Sequence, residues 1–270
     1  MFDHQYLHLA SWILNGDGWI ELGQDDFSRS LVRILDIGGM IWESDERSSA
    51  GRSGTGAGGT DREESTIERL GKEDLLEMNS TVILIGPLGA GKTTVGLLLA
   101  ERLGLPYCSV DRVRWAYYQE VGYDDALASR IAASDQGIQG VMRYSKPFEA
   151  RMVELVLADH HGIIDFGASN SVYDDEEQLA RVERALAPCP NVVLLLPSPD
   201  MDESAEILRN RLTQKLTNEG REFTDVLFEL NETFVKHSAN RRLAKLVIYT
   251  KNKTPEAICD ELVQKLGSTL

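Results

Sequence analysis

From about residue 67 onward the chain alternates short, unbroken apolar runs with longer stretches in which apolar residues recur at helical spacing. The runs at 81–85, 107–110, 162–166, 192–196 and 246–249 read as strands covered on both faces. The segments between them are long enough for crossover helices. This predicts an α/β fold with a five-stranded parallel sheet between two helical layers. Residues 1–43 follow another pattern. There "SWILNGDGWIEL" alternates apolar and polar positions around Asn15-Gly16-Asp17-Gly18, which predicts two short strands joined by a turn. Asp25-Asp26 then caps an expected helix over 27–37, ended by Gly38-Gly39. The result is a small α+β module, too short to bury a secure core by itself.

Between the two patterns lies "SDERSSAGRSGTGAGGTDREEST", residues 44–66, with no periodicity and Ala as its one apolar type. It reads as a flexible linker. Its glycines do not form a phosphate loop, because no strand precedes them and no helix with a lysine follows. The expected organisation is therefore a module over 1–43, a linker over 44–66 and the main α/β domain over 67–270. Charge supports the division: 16 acidic and 7 basic residues precede Met78, against 27 and 21 after it. The module has no readable chemistry and its role stays open, contact with another protein being one candidate.

Composition narrows the function classes. The chain has 270 residues, 42% of them hydrophobic, enough for a sizeable core without covalent help. Cys108, Cys189 and Cys259 are far apart, with no CxxC pair and no histidine at zinc spacing, which points to a reduced, cytoplasmic setting. His160-His161 has no third ligand nearby and reads as a helix end. No stretch approaches the roughly 20 apolar residues of a membrane span. A net charge of -15 argues against nucleic acid and anionic lipid, so a small-molecule partner is expected.

One stretch carries specific chemistry. "GPLGAGKTT", Gly86 to Thr94, satisfies G-x-x-x-x-G-K-[ST] and lies between an expected strand and an expected helix, the context that motif demands. Gly86, Gly89 and Gly91 let the main chain curl so that the N–H groups of this loop, Ala90 and Thr94 included, surround an anion at a helix N-terminus. Lys92 is then expected to bridge the β- and γ-phosphates of ATP, and the Thr93 hydroxyl to ligate Mg²⁺. Asp165, at the end of the third apolar run, either holds Mg²⁺ through water or caps the turn that follows.

The stretch "LIGPLGAGKTTVGLLLAERLGLPYCSVDRV" resembles the opening of shikimate kinases and related small-molecule P-loop kinases. The similarity continues through "DHHGIIDFGASNSV", "NVVLLLPSPDMDESAEILRNRL" and "VIYTKNKTPEAICDELVQKL", over about residues 79 to 267. The resemblance implies the P-loop NTPase fold, ATP and Mg²⁺ as cofactors, and transfer of the γ-phosphoryl group to a hydroxyl of a small metabolite. Asp111 falls on the second Asp of the family's DxD pair, which contacts the acceptor, while Ser109 stands at the first. Gly167-Ala168-Ser169 stands where the family has three glycines. The Arg that binds the substrate carboxylate in the family's FRxxE stretch falls on Glu149, with Arg151 two positions on. The late substrate Arg falls near Lys236. Shikimate is a monoanion that a carboxylate repels, so an acceptor other than shikimate is expected unless Arg151 or Arg143 supplies the guanidinium.

Asp111 is the candidate to orient or deprotonate the acceptor hydroxyl; its other reading is the N-cap of the helix starting near "RVRWAYYQ". Arg209, Arg211 and Arg221 are candidates for a closing segment over the phosphates, Arg211 being taken as the catalytic one, or are ordinary surface residues. "TKNKTP" either holds adenine or is a plain connection with Thr254 as cap, and Trp115, Tyr117 and Tyr118 either floor a pocket or pack in the core. Two rival functions stay open: a nucleotide-controlled switch acting through the N-terminal module, and a toxin-like P-loop kinase acting on a nucleotide sugar.

Overall fold

A computed structural model of the chain describes residues 80–218 and 225–266, and the backbone of residues 12–15 and 18–21. Near the N-terminus, β1 (Trp12–Asn15) and β2 (Gly18–Glu21) pair antiparallel with Asn15 opposite Gly18. The helix expected over 27–37, the linker over 44–66 and Arg221 lie outside the described residues.

The main domain is built on five parallel strands, β3 (Val82–Ile85), β4 (Tyr107–Ser109), β5 (Ile163–Asp165), β6 (Asn191–Leu196) and β7 (Leu246–Tyr249), in the order β4-β5-β3-β6-β7. All five coincide with the apolar runs to within a residue at each end. β3, β5 and β6 are buried along their whole length, as strands covered on both faces must be.

Alternation along the strands sends side chains to two cores. On one face, Ile83, Ile85, Ile164, Phe166, Val192 and Leu194 meet α4 (Gly137–Asp159) through Met152, Val153 and Val156, and α5 (Glu176–Leu186) through Leu179, Val182 and Leu186. On the other, Val82, Leu84, Ile163, Val193 and Leu195 meet α1 (Lys92–Leu103) through Val95 and Leu99, and α9 (Pro255–Leu266) through Ile258, Cys259 and Leu262. Full burial of each such aliphatic side chain contributes about 1.5–3 kcal/mol, so this double-sided core dominates the stability of the domain. The remaining helices are α2 (Val110–Glu120), α3 (Asp125–Ala132), α6 (Met201–Asn218), α7 (Asp225–Lys236) and α8 (Ser238–Leu243). No helix among the described residues is long and apolar enough to cross a membrane.

The register fixes the site. Leu84 and Ser109 both stand opposite Asp165, so β3, β4 and β5 end within a residue of one another, and β6, with Leu194 opposite Ile85, runs two residues further. The loops that leave them gather there, at the carboxyl ends of the strands, with the phosphate loop leaving the central one.

Candidate active site

The loop after β3 turns on glycine. Gly86 has φ 137°, and a Cβ there would lie 2.5 Å from the Leu195 carbonyl, so only glycine lets the chain pass β6 this closely. The loop delivers the chain to α1, which begins at Lys92. Lys92 is buried, and its Nζ donates to the carbonyls of Gly86 (2.9 Å) and Pro87 (3.1 Å), folding the ammonium over the mouth of its own loop. Burial lowers its pKa from the usual 10.5, with the nearby charges of Asp165 and Asp111 opposing the shift.

Thr93 and Asp165 meet across the sheet. The Thr93 hydroxyl donates to Asp165 Oδ2 at 2.8 Å, while Oδ1 accepts the Gly167 N–H at 3.0 Å. One carboxylate oxygen therefore caps the following turn and the other faces the phosphate loop, so the two uses of Asp165 are compatible. Tyr107, at the start of β4, donates its hydroxyl to the same Oδ2 at 3.2 Å. Burial, followed by the Asp165 charge, drives the Tyr107 pKa upward and keeps it a donor. Among the described residues no group of three or more His, Cys, Asp or Glu forms a metal cluster. A hydroxyl and a carboxylate side by side, with the Ser109 hydroxyl at the neighbouring strand end, are hard oxygen donors of the kind Mg²⁺ takes when phosphate and water complete its shell.

Asp111 does not cap its helix. α2 begins at Val110 with Ser109 as its N-cap, which places Asp111 in the first turn, buried. Its carboxylate binds the Arg114 guanidinium one turn on, and it lies so close over Gly167 that any side chain there would collide with it. Gly167, with φ 69°, is the position where both the turn and the close approach require glycine. Burial is the main influence raising the Asp111 pKa above its usual 3.8, opposed by Arg114 and Lys92 and aided by Asp165.

Beyond this pair lies a small cavity lined by Arg114, Tyr118, Tyr123, Ser145, Glu149 and Ser169, with Val141 and Met142. Glu149 is buried and bound to Lys146 (2.7 Å), to the Ser169 hydroxyl (3.1 Å) and, at 3.4 Å, to the Tyr118 hydroxyl. Tyr118 thus both packs in the core and lines the cavity, while Tyr117 is core and Trp115 packs against it.

The other candidates are placed elsewhere. Arg151 is exposed on α4 and binds Glu154, because two residues along a helix turn the side chain by about 200° away from the face of Glu149. Arg143 is exposed as well. Lys236 pairs with Asp202 (2.7 Å) and Glu232 (2.6 Å) at the surface. Arg211 is half-buried and reaches the Thr250 hydroxyl at 3.3 Å, beside the "TKNKTP" loop, where Thr254 caps α9 through the Ala257 N–H (3.3 Å). Arg209 lies over the Phe228 ring at 4.4 Å. His160 ends α4 and bonds the Tyr117 hydroxyl at 3.0 Å.

Sequence reasoning passed over Arg114, Lys146 and Asn231. Arg114 follows Asp111, and Lys146 precedes Glu149, by three residues, a spacing that puts partners on one helix face and that marks both pairs once it is looked for. Asn231 left no such mark. From α7 its Oδ1 accepts the Leu88 N–H (2.8 Å), and its Nδ2 donates to the Leu88 carbonyl (3.2 Å), clamping the phosphate loop across 143 residues.

Strand order, the loop leaving the central strand, and Lys92-Thr93 at the start of the following helix define a P-loop NTPase fold. Within that class the chain is shikimate-kinase-like. It is 26% identical over 187 residues to a shikimate kinase of Streptomyces avermitilis, covering 68% of this chain and 94% of that protein. With a shikimate kinase of Streptomyces coelicolor it shares 28% over 182 residues, covering 66% and 90%. The structure of a shikimate kinase from Acinetobacter baumannii in complex with shikimate superposes with a TM-score of 0.45 at 21% identity, over 69% of this chain and 92% of that one. No family profile matches the chain.

Proposed function

We propose that the protein is an ATP-dependent kinase that transfers the γ-phosphoryl group to a hydroxyl of a small metabolite other than shikimate. The observation that carries this reading is the meeting of Thr93 with Asp165 beside a buried Lys92, with the Asp111 carboxylate over Gly167 and close enough to Lys92 for the two charges to act on each other. Similarity to shikimate kinases over two thirds of the chain supports it.

Phosphoryl transfer asks for alignment and for positive charge against the equatorial oxygens of the moving group. The loop N–H groups and the α1 N-terminus hold the phosphates, and Lys92 exchanges its two carbonyl partners for phosphate oxygens. Thr93 and Asp165 would hold Mg²⁺, which supplies charge neutralisation at the phosphates when bound. Asp111, aligned by Arg114 and by contact with Gly167, accepts the proton of the acceptor hydroxyl. On this reading the "TKNKTP" loop holds the adenine, and Arg211, bonded to Thr250, stands beside it. Residues 1–43 remain, on this reading, a contact for another protein.

The test is ADP release by the full chain with ATP and Mg²⁺, with and without hydroxyl acceptors, using Lys92→Ala as the blank. Acceptor-stimulated release that is lost in Lys92→Ala, with the variant still folded, is the expected result. A fully active Lys92→Ala variant overturns the mechanism, and release indifferent to every acceptor favours the nucleotide-controlled switch.

A further inference from the structure

The small cavity lined by Arg114 and Glu149 presents charges that are already paired. Each cation near it is matched by a carboxylate at contact distance: Arg114 by Asp111, and Lys146 by Glu149 at 2.7 Å. These side chains are 4%, 10%, 14% and 5% exposed, so neither pair is loosened by water. Lys146 is further fixed by the Ser169 carbonyl (2.8 Å) and lies 5.1 Å from the centre of the Tyr173 ring. A carboxylated substrate would have to take a cation from one of these pairs and strand its buried partner, which is strongly unfavourable.

What the wall does offer is acceptor capacity. Glu149 takes one hydrogen bond on Oε2, from Lys146, and two on Oε1, from Ser169 and Tyr118, which leaves one of its four lone-pair positions open. The Tyr118 and Ser169 hydroxyls spend their protons on Glu149 and keep oxygen lone pairs for a ligand. Beside them the Tyr118 and Tyr123 rings stack at 4.6 Å, an apolar surface next to the polar one. Aromatic faces beside hydrogen-bond acceptors suit a molecule with C–H faces and several O–H edges.

We infer that the acceptor is an uncharged polyhydroxy compound, a sugar or cyclitol without a carboxylate, one hydroxyl of which enters the cavity of about 20 Å³ at Glu149 while another is phosphorylated beside Asp111. This rests on the kinase reading. The phosphoryl group passes from ATP oxygen to acceptor oxygen, the hydroxyl proton goes to Asp111, and ADP leaves. Glu149 is thus a specificity-determining residue, a buried carboxylate in the cavity wall that accepts a hydroxyl and repels an anion.

The experiment takes the full chain with ATP and Mg²⁺ and measures ADP release with D-glucose, D-ribose, myo-inositol and glycerol, and in parallel with shikimate and D-gluconate. Binding of a fluorescent ATP analogue is titrated on the same preparation. Stimulation of about tenfold or more by an uncharged polyol, with little from either acid, is the expected result, because a site built to bond hydroxyls discriminates by such factors. Glu149→Gln should then lose about tenfold or more in kcat/KM for that polyol while the nucleotide Kd holds. Stimulation of the wild type by shikimate or gluconate overturns the inference, and so does nucleotide binding with no response to any of the four polyols. Absence of nucleotide binding is a different failure, that of the kinase reading itself.

Discussion

At the scale of single residues, the proposed chemistry turns on two groups held in opposite protonation states within one buried site. Asp111 must be ionised to accept a proton, and burial raises its pKa above 3.8; Lys92 must be protonated to meet phosphate, and burial lowers its pKa below 10.5. The active form therefore gains population as pH rises through the raised Asp111 value and loses it as pH passes the lowered Lys92 value. The pH profile of kcat/KM is expected to be a bell narrower on both sides than ordinary Asp and Lys would give. Asp111→Asn should remove the acid limb and lower kcat by about 10²–10⁴-fold, the usual contribution of a positioned base. An acid limb unchanged in that variant would assign the proton acceptor elsewhere.

At the scale of elements, the five strands and the phosphate loop were legible because each is local. A short apolar run bounded by turn residues reads as a buried strand whichever strands it later pairs with, and G-x-x-x-x-G-K-T needs only a strand before it and a helix after it. The acceptor side was legible only in part, because it depends on which residues face each other. Arg151 lies on the exposed face of α4 with Glu154, whereas Glu149, two residues earlier, lies on the buried face with Lys146. The clamp between α7 and the loop after β3 could not be read at all, since nothing local marks Asn231 as the partner of Leu88. Asn231→Leu keeps the bulk and removes both bonds, baring a buried N–H and a carbonyl at about 1–3 kcal/mol each. Thermal unfolding should report that loss, and the Kd for ATP should rise with it; a variant as stable as wild type would mean that the loop finds other partners.

At the scale of the molecule, the three thiols report on the integrity of both cores. Cys108 and Cys189 are buried and pushed up to about 11 by that burial, while Cys259 is fully buried and donates to the Val95 carbonyl at 3.5 Å. None is in a disulfide. Native protein at neutral pH should therefore react with a thiol reagent such as Ellman's at rates set by opening of the fold, and denaturant should expose all three together. Rapid labelling of one thiol in native protein would show that its face of the sheet opens independently.

The Asn231 clamp also bears on how the protein is made. Synthesis runs at roughly 5–20 residues per second, so Leu88 emerges on the order of ten seconds before the residue that satisfies its main chain. During that interval the loop N–H and carbonyl are served by water, and bound nucleotide has no clamped loop on which to template folding. The phosphate cradle is thus among the first pieces of the main domain to leave the ribosome and among the last to be finished.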